Sequence, residues 1–167
     1  ILLDIEFNPY KPMEIVVVGV GIIAILEISN TLLVVKERHC HSESEVISCL
    51  THVYNCYGDS IESDILTGNS EGDISLLICG KYVKVREKAH VGVINCLKIA
   101  ELFQYMVVLI TGGEDCFIRI WNTKMKMLLS INLKNNLFFG GDLTQMADSS
   151  SFSPQSIDIY HCFSDSK

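Results

Sequence analysis

"EIVVVGVGIIAILEIS", residues 14–29, decides how the rest of the chain is read. A run rich in β-branched residues leads into Gly19-Val20-Gly21, and Ala24 follows three residues later. As G-x-G-x-x-A, the stretch matches the strand-to-helix turn that seats a pyrophosphate on helix amides. As strand, turn and strand, its glycines only let the chain reverse. A dinucleotide site needs a helix from about Ile22 onward, with a polar outer face. "IIAILEISNTLLVV" is rich in β-branched residues, which favour strand, and has no polar face wide enough for a surface helix. The stretch reads as a hairpin. A Rossmann-type enzyme using Gly19, Gly21 and Ala24 is the competing reading.

The bulk of the chain agrees with a packed domain. Of its 167 residues, 49% are apolar, which argues for a core and against disorder. The formal net charge is −7, so the chain repels phosphates and anionic membrane surfaces; neither nucleic acid nor membrane is an expected partner. The longest uncharged apolar run, Ile15 to Leu26, is twelve residues. A bilayer needs about 20. Seven cysteines occur without a CxxC pair, several inside strand-like runs such as "VISCL" and "VINCL". They read as buried free thiols of a reducing compartment. The first residues, "ILLDIEF", enter in mid-pattern, which reads as a piece of a longer protein.

Internal repetition sets the architecture. "EVISCL" at 45–50 returns as "GVINCL" at 92–97. Downstream, a strand ending in glycine, a tight turn and an alternating strand recur as "VVVGVGIIAIL", "ILTGNSEGDISLL" and "LITGGEDCFIRIW". These segments end at Leu26, Leu77 and Trp121, spaced 51 and 44 residues apart. A period of roughly 40–50 residues with four short strands per unit is the signature of propeller blades. The expected fold is all-β: about three four-stranded antiparallel blades, over 1–38, 45–88 and 91–133. The third unit divides into strands at Val93–Ala100, Met106–Thr111, Phe117–Trp121 and Met127–Leu133. A polar, Ser-rich loop is expected over 134–155, then the first strand of a next blade over 156–163.

The third unit carries the specific residues. "AHVGVINCL…LITGGEDCFIRIWNT" resembles a WD40 repeat, with Ala89-His90 for the usual Gly-His and Trp121-Asn122 for the closing Trp-Asp. The resemblance implies a buried tetrad of His90, Thr111, Asp115 and Trp121, in which Asp115 accepts from His90, His90 meets Thr111 and Thr111 meets the indole. Its role would be structural, since buried polar groups persist only when paired. A catalytic reading, with Thr111 as nucleophile on a His90–Asp115 pair, is the weaker alternative. Units one and two depart from the pattern: Leu26 and Leu77 replace the Trp, Glu71 replaces the Asp, and "SESEV" replaces the Gly-His of unit two. Those blades are expected to be held by apolar packing without a full tetrad.

"LLDIEFNPYKPMEIVVVGVGIIAIL" and "TGNSEGDISLLICGKYVKVREKAHVGVI" are similar to successive blades of echinoderm microtubule-associated protein-like (EMAP-like) proteins, a likeness covering about residues 2 to 133. It implies a non-catalytic scaffold of the cytoplasmic cytoskeleton whose propellers contact tubulin or microtubules, with no cofactor. A WD40 adaptor unrelated to microtubules is the alternative. Within "KYVKVREKAH", Lys84, Arg86 and Lys88 alternate along a strand and form a candidate contact for an acidic partner, or a solvated edge that resists aggregation. His39-Cys40-His41 with His52 and Cys56 has irregular spacing for zinc, and no metal is expected. "TGGED" lacks the Gly-Lys-Ser/Thr of a phosphate loop. Three blades do not close a ring, which needs roughly four to eight. The remaining blades of a parent protein are expected to complete it, and the isolated chain is expected to expose apolar blade faces.

Overall fold

The computed structural model describes residues 1–40, 44–57, 60–78, 80–102 and 106–136. Through them run twelve strands in three antiparallel sheets of four, each in sequence order, which is a partial β-propeller. The first blade holds β1 (Leu2–Phe7), β2 (Glu14–Gly19), β3 (Ile22–Ser29) and β4 (Leu32–Cys40). The second holds β5 (Ile47–Tyr57), β6 (Ser60–Asn69), β7 (Ile74–Ile78) and β8 (Lys81–Arg86). The third holds β9 (Ile94–Leu102), β10 (Met106–Gly113), β11 (Phe117–Asn122) and β12 (Met127–Asn132). One helical turn, α1 (Leu133–Asn136), follows where the sequence reads as the start of a loop. The rest of that loop and the strand expected over 156–163 lie outside the described residues.

The stretch at 14–29 is a hairpin. β3 starts at Ile22 and pairs with β2 from Gly19↔Ile22 to Glu14↔Glu27. Each glycine meets a separate demand. Gly21 takes φ 66°, in the left-handed region that β-branched residues avoid. At Gly19 a Cβ would run into the backbone of Ile1 and Leu2. The nucleotide-binding reading fails here, because Ile22–Ser29 pair as strand and present no helix amides.

β5 packs against β1 and β2 on one side and against β9 on the other, so β1, β5 and β9 are the adjacent inner strands of the three blades. Strand alternation sends successive side chains into opposite seams. Leu50, Ile65 and Leu77 meet Val16, Val18 and Ile23 of the first blade. Cys49, Leu66 and Ile74 meet Ile94, Leu97, Leu109 and Trp121 of the third. Full burial of such side chains contributes about 1.5–3 kcal/mol each, so the seams between blades carry the fold. Lys98 Nζ on β9 reaches Glu6 Oε1 on β1 at 2.9 Å, tying the first blade to the third.

The outer face of the first blade is open. The register Phe7↔Ile15, Ile15↔Leu26 and Leu26↔Val35 places these four residues on one face. Phe7 is 59% exposed and Val35 59%. Met127, Leu128 and Leu129 on the outermost strand of the third blade are each about half exposed. No described helix is long and apolar enough to cross a membrane.

Candidate functional site

The densest polar arrangement is built at the turn between β10 and β11. The loop after β8 brings His90 into the seam, and the in-register pairs Leu109↔Trp121 and Thr111↔Arg119 put Thr111, Trp121 and Arg119 nearby. His90, Thr111 and Trp121 are at most 1% exposed. The Trp121 indole N–H donates to Thr111 Oγ1 at 2.9 Å. Thr111 Oγ1 lies 2.7 Å from His90 Nε2, and His90 Nδ1 lies 2.8 Å from Asp115 Oδ1. One proton arrangement satisfies the whole chain: Thr111 donates to Nε2 and Nδ1–H donates to the carboxylate. Asp115 Oδ2 also accepts from the Val91 amide at 3.1 Å, which fastens the incoming loop to the turn. Gly113 leaves room for the ring: a Cβ there would overlap His90.

Electrostatics keeps His90 neutral. Burial pushes its pKa down and outweighs the upward pull of Asp115. Burial pushes the Asp115 carboxyl up, but His90, Arg119 and the Val91 amide together hold it below its ordinary value. Arg119 is a member that motif matching missed. Its Nη1 pairs with Asp115 Oδ2 at 2.7 Å, and its guanidinium stacks over Phe117 at 4.7 Å. Its signals were its position four residues after Asp115 and two before Trp121, on the same face of β11.

The Thr111–His90–Asp115 order has the connectivity of a nucleophile, base and orienter. A nucleophile must nevertheless reach its substrate, and Thr111 is 0% exposed with its oxygen engaged by the indole. The geometry serves as a clamp and gives no support to Thr111 as an attacking group.

The second blade has apolar seams and no full tetrad, and it adds one polar contact to the packing expected of it. Thr67, the counterpart of Thr111, bonds Tyr82 OH at 3.1 Å. Leu77 occupies the Trp position, and Tyr82 is its cross-strand partner on β8. The hydrogen-bonding group has moved one strand outward. Glu71 does not supply the missing Asp. Instead Asn69 Oδ1 accepts from the amides of Glu71 and Asp73, and Asp73 Oδ1 accepts from the Lys88 amide.

The basic stripe is divided by these contacts. Lys84 Nζ pairs with buried Asp73 at 2.7 Å. Arg86 lies over the Trp121 ring at 5.4 Å. Lys88 lies beyond the end of β8 with φ 49°, so the three do not share one strand face; an irregularity between Ile74 and Ser75 also shifts the register. His39 sits 2.8 Å from Glu37 on outer strand β4, whereas His52 is buried on inner strand β5. His41 lies outside the described residues, and among the described ones no group of three or more His, Cys, Asp or Glu could hold a metal.

No protein-family model and no curated protein matches the chain. Solved structures do match, 68 chains in all. One is a chain from the structure of ctPRC2 in complex with H3K27me3 and H3K27M, with TM-score 0.59 and 18% identity over 72% of this chain. This chain covers 27% of that one's length. At that identity the likeness speaks for fold alone, and the three four-stranded sheets are consistent with a WD40-like propeller segment.

Proposed function

We propose that the chain is part of a non-catalytic protein-interaction scaffold that contributes to microtubule or tubulin binding within a larger EMAP-like protein. The observation that carries the scaffold reading is the use of polar chemistry. The most elaborate hydrogen-bonded site, around His90 and Thr111, is buried and joins loop to blade. What such a fold offers a partner is its loops and rims. The likeness to a chain of a protein complex agrees with protein partners. Tubulin as partner rests on the resemblance of 2–133 to EMAP-like blades, and a cytoplasmic, cytoskeletal location follows from the same resemblance.

Charge favours a second reading. With a net charge of −7 and Lys84 engaged with Asp73, the chain offers an acidic tubulin tail little attraction, as suits a general adaptor. Lys88 separates the two readings, since among the described residues its side chain hydrogen-bonds only to the Glu71 carbonyl, at 3.5 Å. Co-sedimentation with microtubules is compared for the parent protein, the parent lacking 1–167, and the parent carrying Lys88→Glu. Weaker pelleting of both altered forms supports tubulin contact here. Unchanged pelleting of both overturns it and leaves the general adaptor.

A further inference from the structure

His52 is a buried titratable group that neither the clamp nor the proposed contacts use. It sits on inner strand β5 and is 6% exposed. The register His52↔Ile65 and Ile65↔Leu77 turns its ring toward the first blade, in the seam with Val16 and Val18. Among the described residues, neither ring nitrogen has a hydrogen-bond partner. An apolar residue would fill this place without that cost. The surrounding strands bring charge of both signs. On β1, Asp4 and Glu6 pair with Val18 and Val16 and so face the same seam. Glu14 on β2 favours the charged ring, and Lys98 on β9 opposes it. Asp64 on β6 pairs with Val53 and points to the other seam. Asp4 is engaged by the Leu50 amide at 2.9 Å, and Glu6 by Lys98. Glu14 is engaged by Asn8 at 2.7 Å and by Lys36 at 3.3 Å.

We propose that His52 makes the seam between the first and second blades acid-sensitive, closed while the ring is neutral and forced to admit water once the ring is charged. Asp4 and Glu14 already have partners, and Glu6 is held to Lys98 through Oε1 while its buried Oε2 has no partner among the described residues, so a new imidazolium must draw a carboxylate from its present place or be hydrated. Either path loosens β5 from β1 and β2. The sign follows from burial. Desolvation, the largest cause, lowers the His52 pKa from 6.5 to about 4. A group depressed in the folded state contributes stability above its unfolded value, and that contribution is lost as pH falls toward the folded value. Between pH 7 and pH 5 the open form of the seam should gain roughly 20-fold from this residue.

The test is amide hydrogen exchange of the whole chain at pH 7 and pH 5, corrected for intrinsic rates, in the native protein and in His52→Leu. Protection of β2 and β6 amides should fall roughly 20-fold further in the native protein than in the variant. An equal fall in both would overturn the proposal. Should the variant fail to fold, the His52 ring is titrated by NMR in the native chain. A midpoint below pH 5 supports the inference, and one near the ordinary value overturns it.

Discussion

Thr111→Val is the sharpest probe of the clamp. Valine matches threonine in shape, so no cavity opens, and the change is confined to one oxygen. That oxygen accepts from the Trp121 indole at 2.9 Å and meets His90 Nε2 at 2.7 Å. Its removal leaves two buried polar groups, each at most 1% exposed, without those partners. An orphaned buried group costs about 1–3 kcal/mol, so the loss for two should be roughly 2–6 kcal/mol. That is a large share of a domain stability of about 5–15 kcal/mol. Thr111→Ser keeps the oxygen and should recover most of the loss. Trp121 is the sole tryptophan, so urea unfolding followed by indole emission reads the perturbed site itself. A Thr111→Val protein within about 0.5 kcal/mol of native, as an ordinary surface substitution would be, would refute the reasoning. So would a serine variant as unstable as the valine one.

Other outcomes follow from the same geometry. Gly113→Ala forces a methyl into the His90 ring and should destabilise the chain by about 1–3 kcal/mol or more in urea unfolding. Tyr82→Phe removes the hydroxyl bonded to Thr67 and should cost about 1 kcal/mol in the same assay, with the Trp121 emission of the folded state unchanged. Burial raises the Cys49 thiol well above its ordinary range and pushes Cys96 up to about 11. Peptide mapping after brief alkylation at neutral pH should find both unmodified in the folded chain and modified in urea.

The sequence made the strands legible where composition and turn chemistry agreed. β-branched residues on both sides of Gly19 and Gly21 point to a hairpin, and the paired strands on either side bear that out. The four residues of the clamp could be chosen because the third unit resembles a WD40 repeat, which implies a tetrad at those positions. What stayed hidden were partners supplied across strands. Tyr82 meets Thr67 from β8, a place that only the register of β7 with β8 defines. Lys84 reads as an exposed cation because its partner Asp73 lies eleven residues earlier and is buried. His52 gave no signal, since a histidine in "LTHVYN" carries no mark of which seam its strand faces. The Glu6–Lys98 pair joins residues 92 apart and follows from the placing of three blades rather than from any local pattern.

That pair offers the most direct test of the central claim, that three consecutive blades are arranged around one axis with β1, β5 and β9 innermost. A zero-length carbodiimide cross-link requires a carboxylate and an amine already in contact. Glu6 and Lys98 meet at 2.9 Å and are both partly exposed, while Glu14 and Lys36 meet at 3.3 Å within the first blade. The fold predicts that mass spectrometry of the treated chain finds both the Glu14–Lys36 and the Glu6–Lys98 linkages. Recovery of the first without the second would contradict the arrangement.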